Sequence, residues 1–207
     1  MSKPLLYVFA GPNGSGKSTF VELMAQTEHN FPSLYINADD IARNKNMTAL
    51  QAAEEADRQR SEAIENGWSF ATETVLSTPD KLRFIEAART AGYLINLIYV
   101  TTQSKKINKR RVEKRVQTGG HDVPSDKIEA RYSRSMALLP EVLRIVDTAQ
   151  VFNNSFDDPL LLAEKKVDGQ IAVYAQKPPS LWDKKRIRKL VGLDSIVGEP
   201  SPLTPNL

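Results

Sequence analysis

Eight residues near the amino end have the types and spacing of a phosphate-binding loop. The string from Gly11 to Ser18 matches the pattern G-x-x-x-x-G-K-[ST] in full. Gly14 and Gly16 allow backbone angles that turn successive N–H groups towards a phosphate, and the following helix adds partial positive charge at its N-terminus. Lys17 is expected to reach the outer phosphates, and the Ser18 hydroxyl to join a Mg²⁺ ion. The predicted nucleotide contacts are Gly11, Pro12, Asn13, Gly14, Ser15, Gly16, Lys17, Ser18 and Thr19.

The residues around this loop favour a small kinase over other nucleotide-binding classes. A plain glycine turn is the alternative, but the apolar run from Leu5 to Ala10 supplies the strand that the motif requires. A GTPase would carry Asn-Lys-x-Asp after a strand, and the nearest string, Asn44-Lys-Asn-Met47, lacks the Asp. An ABC ATPase would carry an LSGGQ-like signature, for which Gly119-Gly120 alone is insufficient. The expected nucleotide is ATP or GTP.

A kinase of this type also needs a carboxylate that accepts the proton of the acceptor hydroxyl. Asp39 and Asp40 follow the second predicted strand, while Glu73 and Thr74 end the third. The carboxyl ends of parallel strands form the edge where ligands bind in open α/β sheets. We therefore expect Asp39 to be the general base, and Glu73 and Thr74 to contact the acceptor. Helix capping, chiefly by Asp40, and a polar strand end at Glu73 are the alternatives.

Basic residues predict a lid over the phosphates. Arg111 and Arg115 lie four residues apart, so they share one face of a helix. A Gly-Gly-His-Asp-Val-Pro turn follows, and a second helix then carries Arg131 and Arg134. These lid arginines are candidates for stabilising the transferring phosphoryl group, and Arg131, Arg134 and His121 of the turn are also candidate acceptor contacts. A solvated basic surface and a nucleic-acid patch are the alternatives.

The elements that must position these residues alternate between strand and helix. Apolar runs predict strands over 5–10, 33–36, 68–72, 93–100 and 149–152, and helical patterns lie between them. The pattern predicts an α/β fold, the three-layer P-loop NTPase arrangement, with a five-stranded, mainly parallel sheet and helices on both faces. Asp168-Gly169 predicts a C-terminal antiparallel edge hairpin. We expect a single domain over 1–191, with the arginine-rich helical lid at about 104–135 and a loose tail over 192–207.

The amino-acid composition excludes several classes of protein. The chain has 207 residues, 28 Lys plus Arg, 25 Asp plus Glu, no Cys and 41% hydrophobic residues. These values exclude a disordered chain, a disulfide framework and a thiolate zinc site. No run approaches the ~18 apolar residues of a membrane span, and no leader is apparent, so a cytoplasmic protein is expected. The bases concentrate at 105–115 and 184–189, which indicates anion binding at particular places.

The motifs together resemble the zeta-toxin family of P-loop kinases. The resemblance covers about residues 5–155 and is closest to the short, single-domain members. It rests on the phosphate loop and on four further strings, in order: Asn37-Ala-Asp-Asp-Ile-Ala-Arg43, Glu73-Thr-Val-Leu-Ser77, Arg111-Val-x-x-Arg115-Val-x-x-Gly-Gly-His-Asp-Val-Pro124 and Arg131-Tyr-Ser-Arg-Ser135.

The resemblance implies an activity and further roles. Known members use ATP and Mg²⁺ to phosphorylate the sugar of UDP-N-acetylglucosamine, and some are toxins neutralised by a partner protein. It implies that Lys17 binds the outer phosphates, that Asp39 is the general base, and that Glu62 and Glu73 hold the acceptor. This chain departs from the toxin pattern in two strings. Asp40-Ile-Ala-Arg43 follows the base where toxins have Asp-x-Phe-Arg/Lys, and Glu73-Thr-Val stands where they commonly have Glu-Gly-Thr. The acceptor therefore stays open.

Two other functions stay open from the residues alone. A polynucleotide or nucleotide kinase would use the basic clusters to bind the phosphates of its acceptor. A nucleotide-gated switch would instead bind ATP tightly and present its closed lid to a partner protein. The basic helix expected at 180–191 is the segment that the kinase hypothesis explains least, and its apolar face is expected to comprise Leu181, Ile187, Leu190 and Val191.

Overall fold

The computed structural model describes residues 3–118, 123–177 and 180–193. Within these ranges the chain forms seven strands and seven helices. The strands are β1 (Leu5–Ala10), β2 (Leu34–Ile36), β3 (Phe70–Thr74), β4 (Leu94–Thr101), β5 (Thr148–Asn153), β6 (Leu160–Lys165) and β7 (Ile171–Val173). The helices are α1 (Lys17–Thr27), α2 (Ala38–Lys45), α3 (Ala49–Glu65), α4 (Asp80–Thr90), α5 (Lys105–Gln117), α6 (Ser125–Ile145) and α7 (Lys184–Leu190).

All seven strands belong to one mixed sheet with the order β2-β3-β1-β4-β5-β6-β7. The first five strands in this order are parallel, and Val8 of β1 lies between Thr72 of β3 and Leu97 of β4. Strand β6 pairs antiparallel with β5, and β7 with β6. The strand count of five was therefore wrong for the sheet as a whole, because the expected hairpin around Gly169 extends the same sheet by two strands.

Helices cover both faces of the sheet because strand side chains alternate between the faces. On one face, a core that includes Leu6 and Val8 of β1 packs against α3, α4, α6 and α7. On the other face, Phe9 packs with Phe20 and Val21 of α1. The sheet and its two helical layers make up the expected three-layer arrangement. None of the helices in the described ranges combines the length and the apolar character that a bilayer span requires.

Two local features differ from the sequence-based expectation. A short helix, α2, follows β2, and Asn37 caps it by accepting the Asp39 backbone N–H at its side-chain oxygen over 2.9 Å. Asp40 does not cap this helix; its carboxylate pairs with Arg43. At the C-terminal end, Leu181 is exposed and Trp182 is buried in its place, since α7 begins only at Lys184. Most of the expected loose tail, from residue 194 on, lies outside the described residues.

Candidate active site

The phosphate loop lies where β1 ends and α1 begins, at the carboxyl edge of the parallel strands. The Gly11 N–H donates to the Thr74 carbonyl over 3.3 Å, which fastens the start of the loop to β3. Gly14 and Gly16 have φ values of +74° and +97°, in the left-handed region that favours glycine. The two glycines of the motif therefore allow the backbone conformation that an anion-binding loop requires.

Two asparagines from distant segments hold the loop through its carbonyl groups. The Asn108 side-chain amide donates to the Asn13 carbonyl over 2.7 Å, and the Asn154 side-chain amide donates to the Ser15 carbonyl over 2.7 Å. Asn108 is fully buried within α5, and Asn154 directly follows β5. Sequence reasoning missed both. The position of Asn154 at the carboxyl end of a core strand was a usable signal, whereas nothing in the local sequence marks Asn108.

Lys17 is a buried cation at the first position of α1. Its ammonium group donates to the Pro12 carbonyl over 3.3 Å. Burial lowers the pKa of Lys17, and the negative charges of Glu73 and Asp39 offset part of this effect. The neighbouring Ser15 hydroxyl is buried without a hydrogen-bond partner among the described residues. A bound phosphate would supply the charge and the acceptor oxygens that this group of residues lacks, so the loop fits a polyphosphate.

A cleft of about 620 Å³ opens beside the loop and brings most of the predicted residues together. The predicted residues that line it are Asn13, Gly14, Gly16, Lys17, Ser18, Thr19, Asp39, Glu73, Thr74, Arg111, Arg115, Arg131 and Arg134. Glu62 is not among the lining residues; its carboxylate is half-exposed and pairs with Arg58 over 3.0 Å on α3. His121 lies outside the described residues.

Glu73 is held in a fixed orientation inside this cleft. The Tyr35 hydroxyl donates to the Glu73 carboxylate, and the Asn37 amide in turn donates to the Tyr35 hydroxyl over 2.9 Å. Asn37 is the residue that caps α2 and so positions Asp39. Hydrogen bonds thus link the Glu73 carboxylate, through Tyr35 and Asn37, to the backbone N–H of Asp39. The Thr74 hydroxyl is engaged locally by the Leu76 N–H. Tyr35 could not be identified as a site residue from the sequence, where it looks like an ordinary strand residue.

The predicted lid consists of α5 and α6, and it contacts the phosphate loop in the structure. The Arg131 guanidinium donates to the Asn13 side-chain oxygen over 3.5 Å. Lys105 at the start of α5 pairs with Glu129 of α6, which holds the two helices together. Burial lowers the pKa of Arg111, which lines the cleft. The arrangement places four arginines of two helices around the same opening as Lys17.

Arg60 is a cleft residue that sequence reasoning missed. It lies on α3, is only 4% exposed, and donates to the Thr72 hydroxyl over 3.1 Å. Its guanidinium also pairs with Asp57 and stacks over the Phe84 ring. Arg60 stands in a helix rich in Glu and Arg, so the sequence alone suggests a solvent-exposed charge. Only the packing of α3 against β3 brings it into the cleft.

The donor set also suits a magnesium ion held mainly by phosphate. Among residues 3–118, 123–177 and 180–193, no cluster of three or more His, Cys, Asp or Glu could hold a metal ion. Mg²⁺ bound with a nucleotide commonly takes one or two protein ligands and completes its shell with phosphate oxygens and water. Ser18, which lines the cleft beside Lys17, can supply such a ligand.

Comparison with known proteins identifies relatives in both sequence and fold. An uncharacterised protein of Haemophilus influenzae is 28% identical over 129 residues, which is 60% of this chain and 89% of that protein. A structure of the PezAT chromosomal toxin–antitoxin system of Streptococcus pneumoniae aligns with a TM-score of 0.55 at 16% identity, covering 98% of this chain and 82% of that one.

A longer chain has a similar fold. The AvrRxo1-ORF1:-ORF2 complex with ATP aligns with a TM-score of 0.65 at 15% identity, covering 95% of this chain and 66% of that one. The present chain therefore spans just under two thirds of that protein's length. At these identities the structural likeness shows a shared fold. In sequence, residues 1–158 match the Zeta toxin family. Because that match covers most of the chain, this protein belongs to the Zeta toxin family.

Proposed function

We propose that this protein transfers the γ-phosphoryl group of ATP to a hydroxyl group of a small acceptor. One observation carries the proposal: Asp39 and Glu73 share a single cleft with Lys17 and with the arginines of two helices. Phosphoryl transfer depends mainly on positioning and on charge stabilisation, and this cleft contains the groups for both. ATP is the proposed donor, and GTP is the alternative.

The phosphate loop and Lys17 would hold the β- and γ-phosphates. Backbone N–H groups of the loop and of the start of α1 can donate to phosphate oxygens, apart from that of Ser15, which donates to the Pro12 carbonyl over 3.2 Å. The buried Lys17 ammonium compensates the charge of the phosphates. Ser18 is the proposed protein ligand of Mg²⁺, and the metal supplies charge neutralisation across the phosphates when it is bound. Arg111, Arg115 and the arginines of α6 would stabilise the negative charge that develops on the transferred group.

Asp39 is the proposed general base. It lies in the first turn of α2, at the carboxyl edge of the sheet, and lines the cleft. Its carboxylate would accept the proton of the attacking hydroxyl, while Glu73, held by Tyr35, would accept a hydrogen bond from the acceptor. Glu62 keeps the acceptor role implied by the family only if its pairing with Arg58 is exchanged, because that pairing occupies its carboxylate.

A nucleotide sugar such as UDP-N-acetylglucosamine is the proposed acceptor class. The family resemblance supports it, and the cleft volume of about 620 Å³ lies within the range of ligand pockets. We also propose a cytoplasmic protein with an inhibitory protein partner, by analogy with the toxin–antitoxin system that contains one structural neighbour.

An acceptor screen tests this proposal. We would measure ATP consumption with nucleotide sugars, free sugars, nucleosides and oligonucleotides, comparing wild type with Asp39→Asn and Asp40→Asn. Loss of a general base typically lowers the rate by about 10²–10⁴-fold, so we expect that loss for Asp39→Asn with nucleotide binding retained. Asp40→Asn is the matched control, because Asp40 pairs with Arg43 and is not a lining residue of the cleft.

The same screen separates the alternatives. Transfer confined to oligonucleotides, with a steep loss of activity as salt rises, would favour a polynucleotide kinase. Tight nucleotide binding without transfer to any acceptor would favour a nucleotide-gated switch. Wild-type turnover by Asp39→Asn would contradict the proposed chemistry.

A further inference from the structure

Seven basic side chains and two carboxylates line the cleft, counting described residues only. Lys17 belongs to the phosphate loop, and four arginines belong to the lid helices α5 and α6. The other two bases, Arg60 and Lys81, lie on α3 and at the start of α4. The phosphoryl donor accounts for the first five, since they surround the loop. Arg60 and Lys81 therefore remain without a role in the proposed function.

These two cations are fixed side by side. The Asp57 carboxylate pairs with the Arg60 guanidinium and also with the Lys81 ammonium, 3.1 Å from its oxygen. Arg60 is further held by its donation to the Thr72 hydroxyl and by the Phe84 ring, whose centroid lies 5.1 Å from the guanidinium carbon. A rigid guanidinium loses little conformational entropy on binding, which favours specific recognition of an anion.

The cluster is incomplete without a further negative group. Two cations share one carboxylate, which leaves a net charge of one positive unit. The Arg60 Nε–H is buried and has no hydrogen-bond partner among the described residues. Arg60 is only 4% exposed, and the donors of so deeply buried an arginine are normally all hydrogen-bonded. The hydroxyl-bearing Ser77 and Thr78 line the same cleft and offer further donors.

We propose that Arg60 and Lys81 form an anion subsite that binds a phosphate or carboxylate group of the acceptor. The inference rests on the proposed phosphoryl transfer and makes it more specific. The acceptor would carry a hydroxyl that reacts near Asp39 and an anionic group that binds between α3 and α4. Neutral sugars and nucleosides would then be poor acceptors, because their binding would leave the Arg60 donor buried and unpaired.

A binding experiment tests the subsite without any turnover. The full-length protein is first loaded with Mg²⁺ and a non-hydrolysable ATP analogue, so that the phosphate loop and the γ-phosphate position are filled. Inorganic phosphate and, separately, acetate are then titrated by calorimetry. We expect one further anion to bind the loaded wild type, with a dissociation constant about tenfold higher or more in Lys81→Met, because a charge-assisted contact is lost.

Matched variants make the result specific. Lys184→Met removes an exposed lysine of α7 that does not line the cleft, so its anion binding should equal that of the wild type. Arg60→Met should weaken binding as Lys81→Met does. Lys81, whose side chain is 30% exposed, remains the decisive position if the buried Arg60 variant fails to fold. Binding of phosphate alone would indicate a phosphorylated acceptor, and binding of acetate alone would indicate a carboxylated one.

Two results would overturn the subsite. The loaded wild type could bind neither anion, or Lys81→Met could bind both as the wild type does. A turnover test adds an independent readout: N-acetylglucosamine and its 1-phosphate differ only in the anionic group, and we expect Lys81→Met to reduce the preference for the phosphorylated member. A failure of the proposed phosphoryl transfer can be distinguished from a failure of the subsite. In that case neither sugar would be turned over, but Lys81→Met would still bind the anions more weakly than the wild type does.

Discussion

The Tyr35 hydroxyl and the Glu73 carboxylate are joined by a hydrogen bond of 2.5 Å. Burial and the negative charge of Glu73 raise the pKa of Tyr35 far above its ordinary value, so the hydroxyl stays neutral and remains a donor. The Asn37 amide donates to the same hydroxyl and fixes it from the other side. Glu73 therefore faces the cleft with one oxygen already engaged and one available.

We expect Tyr35→Phe to impair use of the acceptor more than binding of the nucleotide. The lost hydrogen bond to a charged group corresponds to about 1.5–3 kcal/mol, so kcat/KM for the acceptor should fall roughly tenfold to a hundredfold. The KM for ATP should be unchanged. Tyr174→Phe is the matched control, since its partly exposed hydroxyl lies 3.4 Å from Glu164 and does not line the cleft. Unaltered acceptor kinetics in Tyr35→Phe would contradict a positioning role.

Gly16→Ala should abolish nucleotide binding. A Cβ atom at Gly16 would lie 2.3 Å from the Asn154 amide nitrogen, at a φ of +97° that an alanine rarely adopts. The residue would have to displace the amide that holds the Ser15 carbonyl. Gly67→Ala is the matched control: its φ is +66°, and a Cβ atom there meets nothing within 4 Å. We expect the control to lose about 1–2 kcal/mol of stability from backbone strain and to bind nucleotide normally. Calorimetry and chemical denaturation measure both effects.

Asn108→Ala should destabilise the protein and weaken nucleotide binding together. The substitution leaves the Asn13 carbonyl without its donor and removes one of the two acceptors of the Thr102 hydroxyl, which also donates to the Ser104 carbonyl. Leaving buried polar groups unpaired costs about 1–3 kcal/mol, which denaturant titration can resolve. Arg110→Ala, an exposed change on the same helix, should alter stability by less than about 0.5 kcal/mol. Wild-type nucleotide affinity in Asn108→Ala would mean that the loop keeps its shape without this contact.

Nucleotide affinity should depend on pH through Lys17. Burial lowers the pKa of Lys17 in the nucleotide-free protein, while bound phosphates favour its charged form and so raise it. Above the lowered pKa the free protein carries a neutral Lys17, and binding must take up a proton. We therefore expect affinity to fall as pH rises through a range below the ordinary lysine value of 10.5. Calorimetry in buffers of different ionisation enthalpy measures the proton uptake, which should be missing in Lys17→Met.

The chemistry of the phosphate loop was predictable from sequence because it is local. Eight consecutive residues specify the turn, the cation and the helix start. Helix α5 (Lys105–Gln117) lies within the segment of about 104–135 that was expected to be helical. The parallel order of β1 to β5 follows from alternating strands and helices. The short helix α2 was not predicted, since its eight residues are fewer than the roughly 11 residues over which apolar periodicity is normally recognised.

Other parts of the site depend on contacts between segments far apart in the chain. Arg60 and Thr72 meet only when α3 packs against β3, and Asn108 reaches Asn13 only when α5 lies beside the phosphate loop. Helical periodicity in a sequence predicts which face of the helix a residue lies on, but it does not predict which other element packs against that face. For this reason Arg60 reads as a surface charge in the sequence and is a buried cleft residue in the structure.

The asparagines that grip the Asn13 and Ser15 carbonyls come from positions 95 and 139 residues further along the chain. A peptide limited to β1, the glycine-rich turn and α1 would contain the whole motif but would lack both asparagines. The ability to bind a polyphosphate is thus a property of the folded tertiary structure, and it requires that β5 is paired in the sheet. Truncation before residue 154 would remove it without touching the motif.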